Sequence, residues 1–129
     1  MIVGIGVDST SIEETARYLN DLPEYERKTF TLAELGAAPA SPARRAEWLA
    51  VRFAAKEAVF KALSNAAEAC DFDLRHVETL NREDGAPYVN VTDELARVME
   101  LAGATHLHIS ATTECGLATV FVVAESRER

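Results

Sequence analysis

The 129-residue sequence has little that would mark a secreted, membrane-spanning or nucleic-acid-binding protein. Its two cysteines, Cys70 and Cys115, fit no metal-ligand spacing and give no sign of an oxidising compartment. No apolar run reaches the length of a membrane span, and the first residues lack a secretory signal. Only 13 basic residues stand against 21 acidic ones, and this net charge of −8 argues against a general nucleic-acid binder. These absences predict a cytoplasmic protein that binds neither nucleic acid nor membrane.

The composition and the apolar periodicity predict a globular fold that contains both helices and strands. A hydrophobic fraction of 48% is ordinary for a globular protein, and residues 1–129 are expected to form one domain. Apolar and β-branched runs predict strands at residues 2–8, 76–81, 87–91, 105–111 and 117–124. Capping residues and helical periodicity predict helices at residues 12–21, 31–36, 42–63 and 93–102. The expected fold class is α+β, with the long helix packed on a mainly antiparallel sheet.

The predicted long helix carries several charges although most of its surface is apolar. On a helical projection, Arg52 and Lys56 fall inside an arc of large apolar side chains. Burying unpaired cations is costly, so the pattern predicts an anion beside them, and snorkelling to solvent is the alternative. A second face consists of small residues and suits close approach of another backbone: Ala50, Ala54, Ala55, Ala58 and Ala62.

Asp8 and Glu57 are the candidate metal ligands. Asp8 ends the first predicted strand beside two glycines, where a carboxylate suits a hard cation; the alternative is a helix N-cap or turn former. Glu57 would be the second carboxylate, and the alternative for it is an i,i+4 pair with Lys61 on the helix surface. A diphosphate bound across a magnesium ion held by the two carboxylates would use all of these charges, including the cations of the apolar arc.

Four blocks of the sequence together resemble the holo-[acyl-carrier-protein] synthase family, the small 4′-phosphopantetheinyl transferases. The blocks are GIGVD at 4–8, RFAAKEAVFKAL at 52–63, DGAPYV at 84–89, and the strand pair HISATTE at 108–114 with ATVFVVAE at 118–125. Their order and spacing agree over about residues 2–125; the central block is specific, whereas the first is weak by itself. The resemblance implies the family's fold and reaction. In that reaction the 4′-phosphopantetheine arm of coenzyme A moves to a serine of an acyl carrier protein, and adenosine 3′,5′-bisphosphate is released.

The resemblance also implies roles for individual residues. Asp8 and Glu57 match the family's magnesium (Mg2+) ligands, and Lys61 matches its phosphate ligand, so Glu57 and Lys61 are expected to be catalytic. Glu57, directly or through a metal-bound water, is the candidate base for the carrier serine. The residues expected to contact coenzyme A are Arg44, Arg52, Lys56, Lys61, Gly85, Pro87, Thr112 and Thr113.

The resemblance further implies a homotrimer with sites between subunits, which would give the alanine face of the long helix a purpose. The partner would be an acyl carrier protein or a carrier domain of a fatty acid synthase. The sequence departs from the family where Ser64–Ala67 replaces a glycine-rich loop and where Thr113 stands in place of a frequent histidine. The first helix also has Arg17 as its only basic residue. The alternative function is a binding protein that keeps the coenzyme A pocket without turnover.

Overall fold

The computed structural model describes residues 1–68, 70 and 72–127 of the chain. These residues form the expected α+β fold. The first half contains Ile2–Ser11 (β1), Ile12–Asp21 (α1), Tyr25–Thr29 (α2), Leu32–Ala37 (α3), Pro42–Ala62 (α4) and Ser64–Ala67 (α5). A 3₁₀ turn at Leu74–His76 is followed by Val77–Asn81 (β2), Pro87–Val91 (β3), Asp93–Ala102 (α6), His106–Glu114 (β4) and Leu117–Glu125 (β5).

The strands pair antiparallel, as predicted, and are divided between two sheets. β1, β5 and β4 lie side by side in that order, whereas β2 pairs with β3 in a separate two-stranded sheet. In the larger sheet Asp8 pairs with Val120 of β5, and Val120 pairs with Ala111 of β4. The inner face of β5 is buried under α4, and buried residues of α6 belong to the same hydrophobic core. Among the residues described, no helix combines the length and apolarity needed to cross a bilayer.

The long helix α4 lies against β1 with almost no space between the two backbones. A Cβ added to Gly4 would lie 1.8 Å from the Ala62 carbonyl oxygen, and one added to Gly6 would lie 1.9 Å from that of Ala58. The alanine face of α4 is therefore buried against this chain's own first strand. The expectation that this face serves an interface between subunits is wrong, because the two glycines already bring a backbone onto it.

Some element boundaries differ from the sequence prediction. β1 continues past Asp8 to Ser11, so Asp8 lies inside a strand rather than at its end. β4 extends to Glu114, which places Thr112 and Thr113 in a strand rather than a turn. Cys115 and Gly116 alone connect β4 to β5 in a tight turn, because both have positive φ, 53° and 75°. The helices α2 and α5 were not predicted, since each is too short to show a helical period of apolar residues.

Candidate active site

The carboxylate of Asp8 faces the long helix because side chains alternate along a strand. Gly4, Gly6 and Asp8 share the side of β1 that faces α4, and the two glycines allow the close approach. The Asp8 side chain keeps 17% of its surface exposed. Its Oδ2 accepts a hydrogen bond of 2.9 Å from the Thr10 hydroxyl on the same face. Asp8 is thus held at the margin of the strand–helix contact, within reach of solvent.

Lys61 extends from the last turn of α4 to β1. Its Nζ donates a hydrogen bond to the Val7 carbonyl at 3.0 Å and lies 3.3 Å from Oδ1 of Asp8. The side chain is 53% exposed. Within the described part of the chain, the ion pair of Lys61 is with Asp8 and not with Glu57. The structure therefore does not show the alternative arrangement, an i,i+4 ion pair between Glu57 and Lys61 on the helix surface.

Glu57 lies half-buried on α4, one helical turn before Lys61. Among the residues that the structure describes, no hydrogen bond or ion pair engages its carboxylate. Burial raises the pKa of Glu57, the negative charge of Asp8 raises this pKa further, and Lys61 lowers it. The Lys61 ammonium contacts Asp8, so both carboxylates lie around the same cation. When both carboxylates are ionised they carry two negative charges, and Lys61 supplies one positive charge beside them. The site therefore has an excess of negative charge.

This donor set fits a hydrated magnesium ion. Magnesium usually takes one or two protein carboxylates and completes its octahedron with water and phosphate oxygens. A closed site built entirely from protein would need more ligands, and the described residues contain no cluster of three or more His, Cys, Asp or Glu. Asp8 and Glu57 meet the smaller requirement, and their role as magnesium ligands stays a prediction.

A cavity of about 400 Å³ opens beside Glu57. Its walls include Lys56, Glu57 and Phe60 of α4, Lys28 of α2, and Phe72 and Val77 from the segment around β2. The rings of Phe60 and Phe72 stack with their centroids 6.2 Å apart, so part of the cavity is apolar. Lys28 adds a cation that sequence reasoning missed, because α2 itself was not predicted. A cavity of about 440 Å³ between α2, α3 and the 3₁₀ turn contains none of the predicted site residues.

Lys56 points into the protein and has internal partners. Its Nζ donates to Oε1 of Glu34 at 2.7 Å and to the carbonyl oxygen of Val77, and neither charged side chain is exposed. Burial lowers the pKa of Lys56, and the Glu34 carboxylate counteracts this. The prediction that an anion lies beside Lys56 is confirmed, and Glu34 of α3 supplies this negative charge from within the chain. The sequence indicated Glu34 only as part of a capping box with Thr31.

Arg52 is likewise turned inward, one helical turn before Lys56. It donates to the Thr79 carbonyl at 3.3 Å and to the side chain of Asn81, and its guanidinium lies 3.4 Å from the centroid of the Trp48 ring. Burial lowers the pKa of Arg52 to about 10, so it stays a cation at neutral pH. Neither an external anion nor snorkelling is needed to explain either cation. Their direct contact with coenzyme A stays a prediction.

The other predicted coenzyme A contacts are spread over several elements. Arg44 is exposed in the first turn of α4, about 20 Å along the helix axis from the predicted metal ligand. Gly85 lies in the β2–β3 turn, and Pro87 begins β3. Thr112 and Thr113 are exposed near the end of β4. In the described residues no hydrogen bond or ion pair links these five to the two candidate carboxylates, so their role stays a prediction.

Comparison with known proteins identifies the family. The model of the 4′-phosphopantetheinyl transferase superfamily matches residues 4–116. The chain is 38% identical over 125 residues to the holo-[acyl-carrier-protein] synthase of Salinispora arenicola, covering 97% of this chain and 99% of that protein. The acyl carrier protein synthase structure from Mycobacterium tuberculosis matches with a TM-score of 0.73 and 34% identity, over 98% of this chain and 99% of that one. A holo-(acyl-carrier-protein) synthase structure from Bacillus anthracis, in complex with CoA (3′,5′-ADP), matches with a TM-score of 0.69 and 26% identity over 98% of both chains. The chain therefore belongs to the 4′-phosphopantetheinyl transferase superfamily.

Proposed function

We propose that this protein transfers 4′-phosphopantetheine from coenzyme A to a serine of an apo acyl carrier protein, or of a carrier domain in a fatty acid synthase. The other product is adenosine 3′,5′-bisphosphate. The observation that carries the proposal is the carboxylate of Glu57, which has no partner among the described residues, on the same helix one turn before Lys61, which is paired with Asp8, in a chain of this superfamily. Its relatives bear the name holo-[acyl-carrier-protein] synthase, and one of their structures is a complex with CoA (3′,5′-ADP).

The proposed reaction is a phosphoryl transfer, which depends mainly on positioning and on neutralising charge. The serine Oγ attacks the phosphorus that bears the pantetheine arm. The bond from this phosphorus to the bridging oxygen breaks, and adenosine 3′,5′-bisphosphate leaves with that oxygen. The serine proton passes to Glu57, directly or through a water. Burial raises the pKa of this carboxylate, but a magnesium ion bound to it would lower the pKa again, which favours the route through a water. Lys61 places a positive charge where the phosphate leaves.

Asp8 and Glu57 are the proposed magnesium ligands. When bound, magnesium would neutralise the diphosphate charge that Lys61 alone leaves unbalanced. The chain orients the groups around it in advance. Thr10 holds one oxygen of Asp8, and the Val7 carbonyl anchors the Lys61 ammonium, so β1 fixes both relative to α4.

We also propose that the protein is a homotrimer with sites shared between subunits. The outer face of the larger sheet exposes Ile5, Val7 and Phe121 by 63%, 42% and 53%. Val7 pairs with Phe121 and Ile5 pairs with Val123, so these side chains form one apolar patch of the kind that marks an interface. Other copies of this chain are the proposed occupants. A neighbouring copy would then bring the widely spread coenzyme A contacts to the carboxylates.

The assembly is tested with Phe121→Glu, which places a charge in the patch. Sedimentation velocity is expected to show a trimer for the parent protein and monomers for this variant. Leu101→Glu is the control, because Leu101 is a similarly exposed apolar residue (63%) that lies on α6, outside the patch. A parent protein that is monomeric at all accessible concentrations, or a Phe121→Glu variant that stays trimeric, would contradict the proposed assembly.

The transfer reaction is tested by incubating the protein with an apo carrier, coenzyme A and magnesium, followed by intact-mass spectrometry of the carrier. The expected result is a gain of one phosphopantetheine on the carrier serine. A free acyl carrier protein and an excised synthase domain are both needed as substrates. If the protein binds coenzyme A but modifies neither carrier, the transferase proposal is wrong.

The proposed reaction also needs a compartment that contains coenzyme A, and we propose the cytoplasm. Cys70 and Cys115 are both free thiols, which is compatible with a reducing environment. A single domain over residues 1–129 is part of the same proposal, and limited proteolysis that yields one resistant core would support it.

A further inference from the structure

One edge of β2 is bound by side chains instead of by a neighbouring strand. Among the residues that the structure describes, β2 pairs with β3 alone, on its other side, and both Val77 and Thr79 are fully buried. Lys56 donates to the Val77 carbonyl, Glu34 accepts from the Thr79 N–H at 2.9 Å, and Arg52 donates to the Thr79 carbonyl at 3.3 Å. These contacts satisfy a strand edge whose backbone groups would otherwise be buried without partners.

A single carboxylate connects three elements at this edge. Oε1 of Glu34 accepts from Lys56 Nζ at 2.7 Å and from the Thr31 N–H at 3.0 Å, while Oε2 binds Thr79 of β2. The Glu34 carboxylate thus joins the start of α3, the middle of α4 and the free edge of β2. Buried ion pairs are often replaceable by apolar residues without loss of stability, so stability alone does not explain this arrangement.

The Glu34–Lys56 pair lies directly behind the candidate active site. Lys56 precedes Glu57 in α4, and both line the cavity of about 400 Å³. Val77, the β2 residue that Lys56 holds, forms part of the cavity's other side. The contact therefore spans the two walls of one cavity, and it also attaches the β2–β3 hairpin to the helix that bears Glu57.

We propose that Glu34 and Lys56 are positioning residues for the coenzyme A site. The buried pair fixes the separation of α4 and the β2–β3 hairpin and thereby sets the shape of the cavity beside Glu57. This inference rests on the proposed function, because it assigns the cavity to coenzyme A. Without the pair the hairpin moves relative to α4 and coenzyme A binds less tightly. Asp8 stays in place, because the glycine contact between β1 and α4 does not involve the pair.

Three variants separate positioning from stability. Glu34→Gln keeps the shape of the side chain and an acceptor oxygen but removes the charge. Lys56→Met removes the ammonium and keeps most of the chain length. The double variant Glu34→Leu/Lys56→Met replaces the pair by apolar side chains, a change that buried pairs often tolerate. Arg97→Met is the control, since it removes an exposed cation of α6.

Each variant is compared with the parent protein below its melting temperature, so that all samples are folded. The dissociation constant of coenzyme A, kcat/KM with an apo carrier, and hydrogen exchange at the Thr79 amide are measured. We expect the double variant to be more stable than either single variant. We also expect it to bind coenzyme A about tenfold more weakly, with kcat/KM about 100-fold lower, a loss that a displacement of about 1 Å can cause. Exchange at Thr79 is expected to accelerate, and Arg97→Met is expected to match the parent protein.

A folded double variant that keeps the parent's coenzyme A affinity and kcat/KM overturns the proposal, because the pair would then serve stability alone. If the double variant does not fold, the coenzyme A affinity and kcat/KM of Glu34→Gln decide the question instead. Failure of the parent protein to modify any carrier would contradict the proposed function instead. In that case coenzyme A affinity and hydrogen exchange still test the positioning role, since neither depends on turnover.

Discussion

Gly6 of β1 and Ala58 of α4 are in backbone contact, so that a Cβ on Gly6 would lie 1.9 Å from the Ala58 carbonyl oxygen. Asp8 follows Gly6 on the same face of the strand, and Glu57 adjoins Ala58 on the helix. The approach of the two carboxylates therefore depends on the missing side chain at position 6. The strand motif GIGVD, weak as a sequence signal, is what allows the candidate site to form.

The first prediction is that Gly6→Ala destabilises the protein. The new methyl group meets backbone atoms of α4, which have no rotamer to adopt, so the strand and helix must separate. Overpacking of this kind costs typically about 1–3 kcal/mol and occasionally more. Urea unfolding measures the loss, and kcat/KM of the folded protein is expected to fall because Asp8 moves away from Glu57.

Gly36→Ala is the matched control for the first prediction. Gly36 lies in α3, and a Cβ there would meet nothing within 4 Å. Alanine in place of a helical glycine stabilises by about 0.5–1 kcal/mol. Equal effects of the two substitutions would show that the β1–α4 contact is more adaptable than its geometry indicates.

The second prediction is that Asp8→Ala and Glu57→Ala each lower kcat by about 100-fold or more while the protein stays folded. Losing either carboxylate removes a proposed magnesium ligand and leaves diphosphate charge unneutralised. Glu100→Ala, which removes an exposed carboxylate of α6, is the control. Activity of either site variant within about tenfold of the parent at saturating magnesium would contradict the metal assignment.

The sequence predicted those parts of the fold that rest on long local patterns. The periodicity of residues 42–63 and the capping residues before the helices at 31–36 and 93–102 specify elements without help from distant residues, and the structure confirms all three elements. The division of the strands between two sheets did not follow from the sequence. It depends on which groups occupy the free edge of β2, and those groups come from α3 and α4.

The candidate site was predictable only where its residues lie in distinctive motifs. The structure brings Asp8 and Lys61 into contact, and their roles as metal and phosphate ligands stay predictions. The partner of Lys56 was not predictable, because Glu34 is 22 positions away and reads locally as a helix cap. A helical projection shows that a cation is buried, but it does not show which distant carboxylate meets it.

The third prediction concerns pH. Burial and the charge of Asp8 raise the pKa of Glu57 above its ordinary value of 4.5. When a carboxylate has a higher pKa in the folded than in the unfolded protein, its protonated form stabilises the folded state. This stabilisation is fully present below the ordinary pKa and is lost as pH rises through the raised pKa. Glu57→Gln is therefore expected to be more stable than the parent at pH 7 without magnesium. The difference is expected to vanish below about pH 4.5, where Glu57 is protonated in both states.

Urea unfolding of both proteins across this pH range measures the effect, and other titrating groups cancel in the comparison. Magnesium supplies a second readout, because a ligand that binds only the folded protein raises its melting temperature. The parent is expected to gain stability from magnesium, whereas Glu57→Gln is expected to gain little. Equal stability of the two proteins at pH 7 would show that ionised Glu57 does not destabilise the folded state.

The fourth prediction is that Lys61→Ala weakens catalysis far more than stability. The ion pair with Asp8 is partly exposed, and such pairs contribute at most about 1 kcal/mol. Loss of a charge aimed at the leaving phosphate is expected to lower kcat by about 100-fold. Thermal unfolding and steady-state kinetics of the same preparation separate the two effects. An unchanged kcat would reduce Lys61 to a structural contact with β1.

The fifth prediction concerns the carrier partner. Free acyl carrier proteins are typically acidic, and this chain has a net charge of −8, so long-range attraction between them is poor. The first turn of α1 carries Glu13 and Glu14, and Arg17 is paired with Glu14 at 3.7 Å. In the described residues Arg45 is likewise paired, with Glu26, whereas Arg44 has no partner. We therefore predict a carrier domain of a large synthase, or a carrier with a nearly neutral docking helix, as the preferred substrate.

Docking without a steering field is expected to depend weakly on ionic strength, because salt screens long-range attraction more than short contacts. kcat/KM measured from about 20 to 300 mM salt should then change little with an excised synthase domain as substrate. If Arg44 contacts the carrier, Arg44→Ala raises KM for the carrier and leaves KM for coenzyme A unchanged, whereas loss of the predicted coenzyme A contact would raise KM for coenzyme A instead. Arg97→Ala on α6 is expected to change neither. A strong preference for a free acidic carrier that collapses as salt rises would show that steering dominates after all, and that the acidic surface of α1 faces away from the bound partner.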